Sequence, residues 1–197
     1  MDKFSYALGL GIGQNLKSMG AGDIDVEDFA RAIKDVLESR QTAITHREAK
    51  DIVNKGFAEL QQKIHAQTIA MGKAFLEENK KRDGVVTLPS GLQYEVIKAG
   101  TGKKPKLTSR VRCHYEGTLI DGTLFDSSIK RGQPAVFGVN QVIKGWTEAL
   151  QLMGEGAKWK LYIPSELGYG AQGAGEMIPP YSTLIFEVEV LEVKNEK

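Results

Sequence analysis

The side chains with the greatest intrinsic reactivity are few: one cysteine, Cys113, and three histidines, His46, His65 and His114. Cys113 and His114 are adjacent, which raises the question of a thiolate–imidazole pair. Neighbours on a strand point to opposite faces, however, and cannot hydrogen-bond side chain to side chain. Cys113 therefore reads as a small buried apolar residue. The histidines have no metal-ligand spacing with one another or with Cys113, so no zinc site is expected. Ser127 and Ser128 follow Asp126, but no histidine lies at motif distance, and turn or cap roles suit them. Gly9, Gly11 and Gly13 lack a preceding strand and the G-x-G-x-x-G spacing of a phosphate loop. Gly9 and Gly13 lie one helical turn apart and permit close approach of another helix, which must offset about 1 kcal/mol per glycine. Lys103-Lys104-Pro105-Lys106 reads as a solvated basic loop.

The elements that must position any site fall into two halves. The chain has 197 residues, 41% hydrophobic and 26% charged, an ordinary globular mix with room for two small domains. Its net charge of +1 gives no reason to expect nucleic acid or a membrane surface as partner. No apolar run approaches the roughly 18–20 residues of a bilayer span. Met1–Tyr6 shows no basic segment leading into an apolar core, and with a single cysteine the expectation is a cytoplasmic protein. All six prolines lie between Pro89 and Pro180, and glycines are sparser before residue 85 than after it. Proline breaks helices, so residues 1–84 read as a helical domain and 85–197 as strands and turns.

Three helices are expected in the first half. Phe4, Leu8, Ile12 and Leu16 recur every four residues until Gly20 and Gly22 stop the run. Phe29, Ile33, Val36 and Leu37 stripe a second helix begun near Asp25. Thr45-His46-Arg47-Glu48 is a capping box opening a long helix over about residues 45–82. Its Val53, Phe57, Leu60, Ile64, Met71 and Phe75 form a near-heptad seam. Two short helices cannot cover a seam that long, and a second copy of the chain is the natural partner.

In the second half, Val111, Cys113 and Tyr115 alternate with Arg112 and His114; Trp159, Leu161 and Ile163 alternate with Lys158, Lys160 and Tyr162. Phe186, Val188 and Val190 likewise oppose Glu187 and Glu189. One wet and one dry face indicate an antiparallel sheet. Trp146, Ala149, Leu150 and Met153 match one face of a short helix, giving an α+β domain.

The unusual feature is a supply of aromatics beside turn residues: Tyr115, Phe125, Phe137, Trp146, Tyr169 and Phe186. All but Phe137 sit in six segments, Val111–Gly117, Asp121–Ser128, Val142–Trp146, Leu167–Ala171, Ile178–Pro180 and Thr183–Val190. In type, order and separation these segments resemble the FK506-binding protein (FKBP) family of peptidyl-prolyl isomerases over about residues 88–194. The helical half is similar to the dimerisation region of bacterial FKBPs related to the macrophage infectivity potentiator, most nearly their cytoplasmic members. The resemblance implies an all-helical N-terminal dimerisation domain, a long connecting helix and a C-terminal antiparallel sheet wrapped on one short helix. It implies a site built from Tyr115, Phe125, Asp126, Ile143, Trp146, Tyr169 and Phe186, with Phe137, Val142 and Ile178 contacting substrate. Trp146 would form the floor, while the Ile143 backbone N–H and Tyr169 hydroxyl would hold carbonyls of the bound chain. No metal or cofactor is implied. The sequence departs from the family pattern at Ala135 and around Ala174–Met177.

The activity so implied is rotation about X–Pro bonds in unfolded or partly folded proteins, blocked by FK506- or rapamycin-type inhibitors, with client holding by a homodimer formed through residues 1–60. Two other classes compete: a binding module using the same pocket without turnover, and an assembly protein with no pocket function. Peptide turnover separates the first reading from both.

Overall fold

A computed structural model describes residues 1–194. They form two compact units, Met1–Ala66 and a second beginning at Gln67.

In the first unit, α1 (Lys3–Ser18) is capped by Asp2, whose carboxylate accepts from the Ser5 N–H at 2.7 Å. It ends as Gly20, at φ +80°, donates to the Lys17 carbonyl and Ala21 to the Leu16 carbonyl. Only glycine adopts that conformation without strain. Asp25 caps α2 (Val26–Leu37) by accepting from the backbone of Glu27 and Asp28, both at 2.9 Å. The long helix α3 (His46–Asn79) opens with the expected box: Thr45 N–H donates to Glu48 at 2.9 Å, and Glu48 N–H donates to the Thr45 hydroxyl at 3.2 Å. Its 34 residues extend about 51 Å. It stops short of Arg82 because Lys81 and Arg82 turn back onto the Glu78 and Asn79 carbonyls, three residues earlier. Within residues 1–66 no side chain is buried. The apolar stripe of α2 stays between 37% (Phe29) and 79% (Leu37) exposed.

The second unit is a seven-stranded antiparallel sheet in the order β1-β2-β6-β7-β3-β4, with β5 also on β3. The strands are β1 (Val85–Thr87), β2 (Gln93–Lys98), β3 (Arg110–Leu119), β4 (Leu124–Ser127), β5 (Ala135–Gly138), β6 (Lys158–Ile163) and β7 (Leu184–Lys194). One helix, α4 (Lys144–Leu152), lies between β5 and β6 in sequence. Its Trp146, Ala149 and Leu150, with Met153 just beyond, join Val111, Cys113, Leu161, Ile163, Val188 and Val190 in one core. The architecture is α+β, as expected.

The other face of the sheet departs from expectation. Tyr162, assigned to a wet face, is 1% exposed. The end of α3 covers it: the Phe75 ring lies 6.0 Å from the Tyr162 ring, and Arg82 donates to the Tyr162 hydroxyl at 2.9 Å. Buried Asn79 donates to Gln93 at 2.8 Å, and Gln93 donates to the Leu76 carbonyl at 2.9 Å. Gly72 makes this docking possible, since a Cβ there would lie 2.3 Å from the Thr183 hydroxyl. Part of the α3 seam therefore finds its cover within the same chain. No helix among the described residues is long and apolar enough to cross a membrane.

Candidate active site

Strand β3 organises the site because it pairs with three strands at once. Its first half meets β5, its second half meets β4, and its whole length meets β7. Tyr115 thus comes from the middle of β3, Phe125 and Asp126 from β4, Phe137 from β5 and Phe186 from β7. Gly117 is opposite both Asp126 and Phe186, and a Cβ there would fall 2.5 Å from the Phe125 ring and 2.6 Å from the Phe186 ring. Its missing side chain lets these rings meet, 5.4 Å apart and nearly perpendicular at 80°. Val142 and Ile143 precede α4, with Ile143 as its N-cap, so the Ile143 N–H lies outside the helix's own hydrogen-bond ladder. Trp146 lies in the first turn, Tyr169 precedes a 3₁₀ turn, and Ile178 closes a short hairpin through its bridge to Ala174.

The structure brings all ten expected residues onto one cavity of about 720 Å³. Trp146 is 3% exposed and stands nearly perpendicular to Tyr115, Phe137 and Phe186, with centroids 5.3, 5.6 and 5.2 Å away. Aromatic pairs prefer this edge-on geometry, which fixes the rings as a rigid apolar wall. The buried Trp146 Nε1 has no hydrogen-bond partner among the described residues.

One polar cluster sits on that wall. The Tyr115 hydroxyl donates to Asp126 Oδ2 at 2.5 Å, while Arg131 donates to Asp126 Oδ1 and, at 2.8 Å, to the Tyr115 oxygen. Burial pushes the Asp126 carboxyl up, but the Tyr115 and Arg131 hydrogen bonds outweigh it and hold the group below its ordinary value. Burial, with the bond to Asp126, pushes the Tyr115 hydroxyl up against the opposing pull of Arg131. Burial also raises Tyr169, followed by the nearby Asp126 charge. At neutral pH the cluster is a carboxylate pinned between a neutral phenol and a guanidinium.

The reactive-looking residues serve structure. Burial pushes the Cys113 thiol up to about 12, so it is no nucleophile at neutral pH. The Ser128 hydroxyl accepts from the Tyr115 N–H at 2.8 Å, and the Ser127 hydroxyl donates to Glu116 and accepts from the Lys130 N–H. Sequence reasoning named no site role for Gln141, for Ala174–Met177 or for Arg131. Gln141 lines the cavity, but its type carries no signal for that place. Arg131 lies across a turn from Asp126, five residues on, and nothing in the sequence pattern pointed to it.

A rigid aromatic cavity with one pinned carboxylate and a helix-start N–H is suited to a short apolar segment that presents carbonyls. Comparison with known proteins gives the class a name. Residues 101–191 match "FKBP-type peptidyl-prolyl cis-trans isomerase" and residues 1–96 match "Domain amino terminal to FKBP-type peptidyl-prolyl isomerase". The chain is 49% identical to the FKBP-type 22 kDa peptidyl-prolyl cis-trans isomerase of Escherichia coli, covering 96% of this chain and 93% of that one. It is 44% identical to the outer membrane protein MIP of Legionella longbeachae over 98% of this chain and 85% of the relative. Among solved structures, FkpA from Escherichia coli aligns with a TM-score of 0.77 at 36% identity, covering 98% of this chain and 95% of that one. A peptidyl-prolyl cis-trans isomerase from Pseudomonas syringae aligns with a TM-score of 0.62 at 42% identity, covering 66% of this chain and 96% of its own. The chain belongs to the FKBP-type peptidyl-prolyl cis-trans isomerases.

Proposed function

We propose that the 720 Å³ cavity is where this isomerase rotates X–Pro bonds of unfolded or partly folded proteins. The observation that carries this reading is the convergence of Tyr115, Phe125, Asp126, Phe137, Val142, Ile143, Trp146, Tyr169, Ile178 and Phe186 on one cavity lining. Rotation costs about 18–20 kcal/mol because amide resonance must be lost. Water stabilises the planar amide, whose oxygen and nitrogen carry the larger charges, so a dry aromatic wall favours the twisted form. In this reading the Ile143 N–H, at the positive end of α4, and the Tyr169 hydroxyl hold carbonyls of the half-rotated chain, supported by both residues lining the cavity. Binding that is tighter at the half-rotated geometry lowers the barrier without nucleophile, acid or base. Asp126, fixed by Tyr115 and Arg131, supplies a stationary negative charge on the wall. The test is turnover of a Phe-Pro peptide by Phe125→Ala in the presence and absence of an FK506- or rapamycin-type inhibitor. Loss of turnover in the variant and inhibition of the unmodified chain support the site; unchanged turnover in the variant overturns it.

The helical unit extends the reading to a homodimer through residues 1–60 that holds large clients. Its support is the apolar surface of a unit without one buried side chain, including Phe4, Leu8 and Leu10, each more than half exposed. A Cβ at Gly9 or Gly13 would meet nothing within 4 Å in the single chain, so these positions are open to a second helix. Two linked sites raise the local concentration of client prolines at each. Light scattering reporting a monomer at micromolar concentration overturns the dimer. A cytoplasmic location completes the proposal, supported by a lone buried cysteine that needs no oxidising compartment, and cell fractionation tests it.

A further inference from the structure

The cavity lining holds two acids, Asp126 and Glu176, and no lysine, arginine or histidine. Their surroundings differ. Asp126 is paired with Arg131, whereas Glu176 makes no ion pair or hydrogen bond among the described residues. Glu176 also has a defined place. Ala174 N–H donates to the Ile178 carbonyl at 2.9 Å and Ile178 N–H returns to Ala174 at 3.1 Å, leaving Gly175-Glu176-Met177 as a three-residue hairpin tip. Gly175, at φ +55°, provides the left-handed residue that such a tip needs. The uncompensated charge on the lining is therefore a carboxylate held at the rim, beside a Met177 side chain that is 49% exposed.

We propose that Glu176 is a specificity-determining residue: X–Pro segments carrying lysine or arginine beside the proline are turned over faster than the same segments carrying glutamate. The aliphatic stem of a lysine or arginine covers Met177 while its charged head stays in water against Glu176, the usual way such side chains divide their two ends. Glutamate in the same place meets only like charge. The inference rests on the cavity being the substrate site. An exposed ion pair of this kind changes kcat/KM by about two- to five-fold, and the effect weakens as salt rises.

The test uses full-length protein and peptides identical except for lysine, norleucine or glutamate, placed in turn immediately before and after the proline. Isomerisation is read by NMR exchange, so no protease preference enters. The unmodified chain should favour lysine over glutamate about five-fold at low salt in at least one placement, Glu176→Gln should remove the preference, and Glu176→Lys should reverse it. The norleucine peptide reports any change that is not one of charge, and the lysine and glutamate rates are read relative to it. A lysine-to-glutamate ratio near one in the unmodified chain, or one unchanged in Glu176→Gln, overturns the role of Glu176. Phe125→Ala and the milder Tyr169→Phe, each checked for fold by circular dichroism, address the cavity separately: full turnover in both overturns the cavity as the site.

Discussion

The two units solve the burial problem in opposite ways. The unit from Gln67 onward encloses Leu92, Val111, Leu150, Leu161, Ile163 and Val188 completely and satisfies its buried Asn79 and Gln93 with each other. Residues 1–66 have well-formed caps at Asp2, Asp25 and Thr45 and no buried side chain at all. Caps contribute about 1 kcal/mol each and settle where a helix begins, while tertiary packing decides whether it persists. One unit is thus complete by itself, and the other presents a surface that calls for a partner.

The largest expected effect lies in the site of the complete unit. Asp126→Ala removes the group that holds both Tyr115 and Arg131, so peptide turnover should fall by about a hundred-fold, the usual consequence of misplacing groups around a reacting bond. Circular dichroism should be unchanged; equal loss of fold would make Asp126 a structural residue instead.

The next tests where the complete unit begins. A fragment starting at residue 85 uncovers Tyr162 and deprives Gln93 of its partners, and it should be about 3 kcal/mol less stable to urea than one starting at residue 67. Equal midpoints would mean that the end of α3 is a passenger.

A matched pair of helical glycines sharpens the contrast. Gly72→Val drives a side chain into Thr183 and should cost about 1–3 kcal/mol in the full chain and in the fragment starting at residue 67. Gly9→Ala meets nothing in the single chain and should strengthen α1 by up to about 1 kcal/mol while weakening self-association. Tighter association of Gly9→Ala would remove that position from the interface.

The smallest effect is in pH. The folded Asp126 value lies below the unfolded one, so its stabilising contribution is complete above the ordinary carboxylate range and is lost as pH falls through the lower folded value. The Tyr115 value is raised, so its hydroxyl still donates at and somewhat beyond the ordinary tyrosine range. Turnover should therefore be flat from about pH 5 to pH 9. A titration near neutrality would point to a group outside this cluster.

Where sequence and structure agree, the signal was local or repeated. Asp25, the Thr45–Glu48 box and Gly20 are short-range chemistry, and β3, β6 and β7 alternate with the period of a strand. Nine of the ten cavity residues, all but Phe137, were legible through six separated segments whose order matches a family, since no single one of them has a signature of its own. What escaped was long-range. The burial of Tyr162 depends on Phe75 and Arg82, which lie far away in sequence, and alternation along β6 alone assigns it to water. The role of Gly72 depends on its contact with Thr183, which is far away in sequence. Arg131 reaches Asp126 and Tyr115 across a turn whose residues carry no pattern.

The division of labour between the units is tested most directly by one comparison: kcat/KM for a short Phe-Pro peptide with the full chain and with the fragment from Gln67 onward. The account predicts a folded, monomeric fragment whose turnover lies within about two-fold of the full chain, since every lining residue of the cavity lies beyond Gln67. A folded fragment that is ten-fold or more slower would contradict it, and would place part of the chemistry in the helical unit.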